Sequence, residues 1–250
     1  MPWYKQTTVW AVIISVVAIV FSQVPPIITW IPRDDLKVEI GSRIDLPNNI
    51  GIPGYQFLID LENNGNRSRT VSSFRLEVVY PSGKAKLIFA DSYVRLSAQS
   101  VIQKFAITTI KLDAGGGWSE TVLFHPQYSP TEEEEMYHLE MEITQSISAK
   151  IQSMADKYRS NIMVEADERL VAEAKSFFNR TFDLEKGTYK VSLICDMAGQ
   201  KTTLKKFEFT LYDYHISTLK AQTEDYKYGW GINASTESTK QVDALISKID

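Results

Sequence analysis

The chain has 250 residues, a formal net charge of -4, three histidines and one cysteine, with a pI near 5.5. That balance leaves no cationic footprint for a nucleic-acid backbone. One cysteine excludes an internal disulfide framework, so the fold must be held by its core.

From Gln6 to Pro32 the chain reads QTTVWAVIISVVAIVFSQVPPIITWIP, 27 consecutive positions without an ionisable side chain. A helix over residues 7–24 would rise about 27 Å, close to the thickness of a bilayer's hydrocarbon core. Trp3, Tyr4 and Trp10 lie near one end and Trp30 near the other, where amphipathic rings favour the headgroup level. Pro25 and Pro26 mark its end. This predicts an N-terminal tail and single-pass transmembrane anchor over residues 1–32, meeting the lipid bilayer through residues 7–24. A cleaved signal peptide, with Val20-Phe21-Ser22 as its cleavage site, and a buried core helix are the competing readings. Lys5 before the run and Arg33, Lys37 and Arg43 after it nearly tie in the charge count that orients a span. The short tail ahead of a large domain is the arrangement of a signal anchor, which puts the domain on the extracytoplasmic side.

About 215 residues follow, enough to bury a sizeable core. Leu36 to Ile40 is a short predicted strand. Tyr55, Phe57, Ile59 and Leu61 then alternate with Gln56, Asp60 and Glu62, and Phe74, Leu76, Val78 and Tyr80 with Arg75 and Glu77. Asn63-Asn64-Gly65-Asn66 between them tolerates positive φ, which makes the pair a hairpin. Further strands are predicted at 87–90, 105–112 and 118–124, with turns at Pro81-Ser82-Gly83 and 113–117. From Tyr137 the alternation continues through Leu139, Met141 and Ile143.

There the period changes. Ile147, Ile151, Met154, Tyr158 and Ile162 share one helical face, and Leu170, Val171, Ala174, Phe177 and Phe178 form a second behind Asp167 as N-cap. Residues 145–180 are thus expected as a helical insertion in a β domain spanning 33–212. Strands resume with Tyr189, Val191, Leu193 and Cys195, then Phe207, Phe209 and Leu211, paired across a turn at 197–201.

Leu184-Glu185-Lys186-Gly187-Thr188-Tyr189-Lys190-Val191 resembles the entry to the penultimate strand of many immunoglobulin-like sandwiches. Leu61-Glu62-Asn63-Asn64-Gly65-Asn66 is similar to the first hairpin of bacterial adhesion-type members. The resemblance implies a mainly β chain with an antiparallel sandwich of seven to nine strands over residues 36–212, and a corner-tyrosine role for Tyr189. It implies no activity, because that fold hosts unrelated functions.

Candidates for chemistry are few. Glu132 to Glu135 lack the ligand spacing of a calcium loop and read as a helix N-terminus behind Ser129, Pro130 and Thr131. Gly115-Gly116-Gly117 is a turn, since no Lys-Ser/Thr follows it. Cys195 reads as a buried hydrophobe rather than a nucleophile. His138, Glu140 and Glu142 would share one strand face, a metal site only with further ligands from a partner strand. No catalytic, cofactor or metal site is predicted.

Residues 213–250 form a C-terminal tail. It holds an aromatic group, Tyr226, Tyr228 and Trp230, and closes with Val242, Leu245, Ile246 and Ile249 at helical offsets. These seven residues are the predicted partner-binding candidates. The expectation is a non-enzymatic, membrane-anchored interaction or scaffold module for a protein partner, which could be a second copy of this chain. A hydrolase or transferase assembled from distant carboxylates such as Glu140, Glu165 and Glu168 is one alternative, and a membrane-disrupting effector is another. A pocket lined by converging ionisable side chains favours the enzyme, whereas a flat surface with an apolar helical stripe favours the module.

Overall fold

The computed structural model describes residues 7–23, 33–47, 50–96, 102–154, 163–197, 200–229 and 242–249. Helix α1 spans Thr7–Gln23. Its 17 residues rise about 25 Å, short of the ~30 Å of a hydrocarbon core. Among the described residues no helix is long and apolar enough to cross a membrane. The expected transmembrane signal anchor is therefore corrected, for the described residues, to an apolar helix of 17 residues. Residues 24–32 lie outside the described residues.

The strands are β1 (Leu36–Ile40), β2 (Arg43–Leu46), β3 (Tyr55–Asn63), β4 (Arg69–Val79), β5 (Ala85–Leu96), β6 (Ile102–Ala106), β7 (Ile110–Leu112), β8 (Gly117–His125), β9 (Gly187–Met197), β10 (Gln200–Leu211) and β11 (Val242–Lys248). Eight of them close into an antiparallel barrel in the order β5, β8, β3, β2, β11, β10, β9, β4 and back to β5. Strands β1, β6 and β7 extend the wall by pairing with β3, β5 and β4. This overturns the immunoglobulin-like sandwich. The pairings of β2 with β11 and of β4 with β5 join what would have been two sheets into one ring. Period-two alternation is common to sandwiches and barrels, so the pattern alone does not separate them.

The alternation does fix which side chains point inward. Tyr55, Phe57, Ile59 and Leu61 of β3, Phe74, Leu76 and Val78 of β4, Val191 and Leu193 of β9, and Phe207 and Phe209 of β10 are all buried in one core. Aromatic rings fill its centre: Phe57 stacks on Phe124 at 5.3 Å, and Tyr189 stacks on Phe209 at 4.9 Å. An eight-stranded barrel is only wide enough for such side chains. The Tyr189 hydroxyl donates to the Glu185 carbonyl at 2.7 Å and accepts from the Glu185 N–H at 2.8 Å. This is the local geometry of a corner tyrosine, here made in a barrel.

Between β8 and β9 lie α2 (Pro130–Ser153) and α3 (Glu168–Thr181). The strand read through Tyr137–Ile143 belongs to α2. Leu139 and Ile143 are four apart, a spacing that satisfies period two and one helical turn alike, and Ile147 continues the helical row. Ser129 and Glu132 form a reciprocal capping box with Pro130 in the first turn, so Glu132 to Glu135 do open a helix. At α3 Asp167 holds the N-cap position without capping it. Its carboxylate pairs with Lys150 at 2.8 Å instead. The two helices bury Leu139, Ile143, Ile147, Leu170, Ala174, Phe177 and Phe178 in a second core outside the barrel. Tyr158 and Ile162 lie outside the described residues.

After β10 come α4 (Asp213–Ala221) and a 3₁₀ helix, Gln222–Tyr228. The closing segment, expected as a helix with a sticky face, is strand β11 between β2 and β10. Val242 and Ala244 face the core at 3 % exposure each, whereas Leu245 faces out at 66 %. Ala244 is too small to register in a hydrophobic count, and that left the offsets of Val242, Leu245, Ile246 and Ile249 looking helical.

Candidate functional site

With the barrel interior filled, ligand-sized space lies against the outside of its wall. A cleft of about 600 Å³ is bounded by residues 50–52, β5, β6, the end of β8 and α2. Its apolar lining includes Ile50, Ile52, Phe89, Pro126 and Met136, and its ionisable lining is Asp91, Lys104, His125, Tyr128, Glu133 and Glu140.

The segment Ile50-Gly51-Ile52-Pro53-Gly54 forms one wall and is shaped by close approaches. Gly51 has φ 93°, and a Cβ there would meet the Tyr128 hydroxyl and stand 2.8 Å from the Phe177 ring. A Cβ at Gly54 would lie 3.2 Å from both Nδ1 and Cε1 of His125. The Tyr128 hydroxyl accepts from the Ile52 N–H at 2.7 Å and donates to the Ile50 carbonyl at 3.2 Å. Burial pushes its pKa up to about 12. The phenol therefore stays protonated and locks the segment to the insertion.

Asp91 is placed by an irregularity. In the β5–β8 ladder Ala90 faces Phe124 and Ser92 faces Leu123, so Asp91 is the extra residue of a bulge. Bulges re-aim side chains and gather beside functional sites. The Asp91 carboxylate takes Lys104 Nζ at 3.2 Å and the Ser92 hydroxyl at 3.0 Å. Burial works to raise its pKa, but the bonds from Ser92 and Lys104 outweigh this and hold it below the usual range.

His125 sits opposite Phe89 in the same ladder. Desolvation lowers the imidazole's pKa, with the Asp91 charge working the other way. From α2, Glu133, Met136 and Glu140 face the cleft at offsets of three and four. Desolvation raises the pKa of Glu140, and its carboxyl has no hydrogen-bond or ion-pair partner among the described residues.

The predicted candidates are spread elsewhere. Tyr226 is fully buried in the second core, where burial raises its pKa and a Gly51 backbone bond opposes the rise. The Tyr228 hydroxyl contacts Glu165 at 3.1 Å. Trp230 lies outside the described residues. Val242 and Leu245 line a second hollow of about 510 Å³ with Tyr212, Tyr214 and His215. Ile246 packs partly buried against the barrel core, and Ile249 lies beyond the end of β11 with 39 % exposure. Burial pushes the Cys195 thiol up to about 11, and it faces Phe74 in the barrel.

Among the alternative carboxylates only Glu140 lines the cleft. Glu165 is taken up by Lys227 at 2.7 Å, and Glu168 opens α3. His138 and Glu142 lie on α2, not a strand, and among the described residues no group of three or more His, Cys, Asp or Glu could hold a metal ion.

Reasoning from sequence missed Asp91, Lys104, His125 and Tyr128. The one local signal was the pair of glycines around Ile52-Pro53, where two backbone approaches are needed.

No protein-family model matches this chain, and no curated protein matches it. Among solved structures it is similar to the Pseudomonas fluorescens alkylpurine DNA glycosylase AlkC bound to DNA containing an abasic-site analogue, at 11 % identity and a TM-score of 0.31. The match covers 72 % of this chain and 31 % of that one. A likeness this slight says nothing of what the present chain binds, and the cleft must be read from its own residues.

Proposed function

We propose that this protein is a non-enzymatic binding module whose recognition site is the cleft between the barrel wall and α2, held at a lipid bilayer by α1. The observation that carries the reading is the cleft itself, an apolar-walled space in which Asp91 and Lys104 hold each other at 3.2 Å and, among the described lining residues, there is no Ser, Thr or Cys. Its converging ionisable side chains are the feature that supports the second, enzymatic reading below. The lipid attachment rests on α1, where Trp10, Val12, Ile14, Val16, Ile19 and Phe21 are all more than half exposed. Apolar surface of that extent marks an interaction site.

Two measurements test the reading. A photoreactive residue at Met136 should give a defined adduct in cells, and the same residue at exposed Thr203 should not. Identical products from both positions would sink the binding site. The full chain should float with liposomes, and Ile14→Lys should leave it in the soluble fraction. Unchanged flotation removes α1 from the account.

One observation favours a hydrolase as a second reading. His125 and Glu140 share a cleft in which burial holds the imidazole neutral and the carboxyl protonated to higher pH, the separation that suits a base and an acid. Hydrolysis of model esters or phosphoesters that is lost in both His125→Gln and Glu140→Gln, with neither variant less stable than the parent, would establish it.

A further inference from the structure

We propose that the cleft takes a primary ammonium group carried on a short apolar stem, either a small alkylamine or the side chain of a lysine on a partner protein. The proposal deepens the binding reading and rests on it. Charge accounting within the cleft leads there. Asp91 and Lys104 neutralise each other across 3.2 Å. Desolvation holds His125 below its usual pKa, so at neutral pH it adds no charge. Glu133 and Glu140 remain. Neither side chain has a hydrogen-bond or ion-pair partner among the described residues.

Glu140 is the more telling of the two. It is half-buried, so its carboxyl has given up part of its water without gaining a donor, which is the unfavourable arrangement for a carboxylate. An ammonium brings three donors and the compensating charge. It comes on a stem of methylene groups, and Ile52, Phe89, Pro126 and Met136 supply the apolar wall on which such a stem lies. A divalent cation fits less well, since it needs several oxygen ligands converging at short range. Among the described residues no group of that size is assembled. A carboxylate or phosphate ligand would meet two uncompensated acids, because the lysine in the cleft is already engaged by Asp91.

Occupancy should couple to protonation. The titratable groups that line the cleft with Glu140 are Glu133 on its own helix and Tyr128, His125, Lys104 and Asp91 from the other elements. Ammonium binding favours the ionised carboxyl, so affinity falls as the pH is lowered through the pKa of Glu140.

The test uses the full chain in detergent, titrated with n-butylamine at pH 7 and followed by calorimetry, with n-butanol and butyrate as controls. The amine should saturate one site while the alcohol and the acid do not. Glu140→Gln should weaken the amine at least about tenfold, the loss expected when a charge-assisted bond is removed. Met136→Lys places a tethered ammonium in the cleft and should abolish amine binding even if Glu140→Gln perturbs folding. Equal binding of n-butanol, or an amine affinity unchanged in both variants, overturns the proposal. Nα-acetyl-lysine methylamide separates the two sources: tighter binding than butylamine points to a partner's lysine, and weaker binding points to a free amine. If a Met136 photo-adduct forms but butylamine does not bind, the cleft remains a binding site and the ammonium proposal fails alone.

Discussion

Ala244 stands directly opposite Ile44 in the ladder that joins β11 to β2, and both are buried in the barrel core. This contact closes the ring. Replacing Ala244 by Lys puts an unpaired charge inside a filled barrel and should cost at least about 3 kcal/mol. Leu245→Lys, one residue along and pointing outward, should change stability by no more than about 0.5 kcal/mol. Urea unfolding of the two variants checks this directly. A helical segment would predict the reverse order, with Leu245 the buried position.

Gly51 offers a second test, this time of the wall between barrel and insertion. Its φ of 93° is one that L side chains rarely adopt, and an added methyl would also meet Tyr128 and Phe177. Gly51→Ala should therefore cost more than about 1 kcal/mol, beyond the gain that stiffening the unfolded chain would bring. Thermal melting reads the loss. Fluorescence of Tyr128 and its neighbours should shift with it, because the segment is pinned through the Tyr128 hydroxyl.

The raised pKa of Glu140 has a definite sign in stability. Burial lifts the folded value above the unfolded one, so the contribution is fully present below the unfolded pKa and is lost as pH rises through the folded pKa. At neutral pH the ionised side chain thus costs stability. Glu140→Gln should be more stable than the parent at pH 7, by less than about 1 kcal/mol because solvent still reaches the carboxyl. The difference should vanish by about pH 4. Denaturant melts at both pH values decide it, and a variant less stable than the parent at pH 7 would contradict the account.

Cys195 should be inert in the folded protein. Its thiol is buried in the barrel and pushed up to about 11, so almost no thiolate is present at neutral pH. A maleimide or disulfide reagent should label it only at the rate of global unfolding. Labelling within seconds in native buffer would show that the barrel opens locally.

Much of the barrel could be read from side-chain alternation, because β3, β4, β9 and β10 each carry a run of apolar residues at every second position. The cap at Ser129 was equally local and equally legible, but the turn residues at 63–66 misled. Strand β3 pairs with β1, β2 and β8 and β4 with β5, β7 and β9, so the hairpin expected between them does not form. Closure was not legible either. It depends on β11, whose inward residue Ala244 is small, and on β5, which pairs with β4 near its start and with β8 further along. The start of α2 was obscured because Leu139 and Ile143 fit two periods at once.

The cleft was illegible for a different reason. Its charged residues come from β5, β6, β8 and α2, and none of them is adjacent to another in sequence. Asp91 depends further on a bulge, and an added residue leaves no mark in an alternating pattern that is already short of apolar side chains.

The seam between β2 and β11 also sets a clock. Arg43 and Asp243, which pair across it, are 200 residues apart in the chain. At ordinary rates of synthesis, β2 emerges from the ribosome roughly 10–40 s before its partner exists. During that interval one side of the nascent sheet shows unpaired backbone and the aromatic core beside it. Any factor that attends the folding of this protein would have to cover that gap and leave it when β11 arrives.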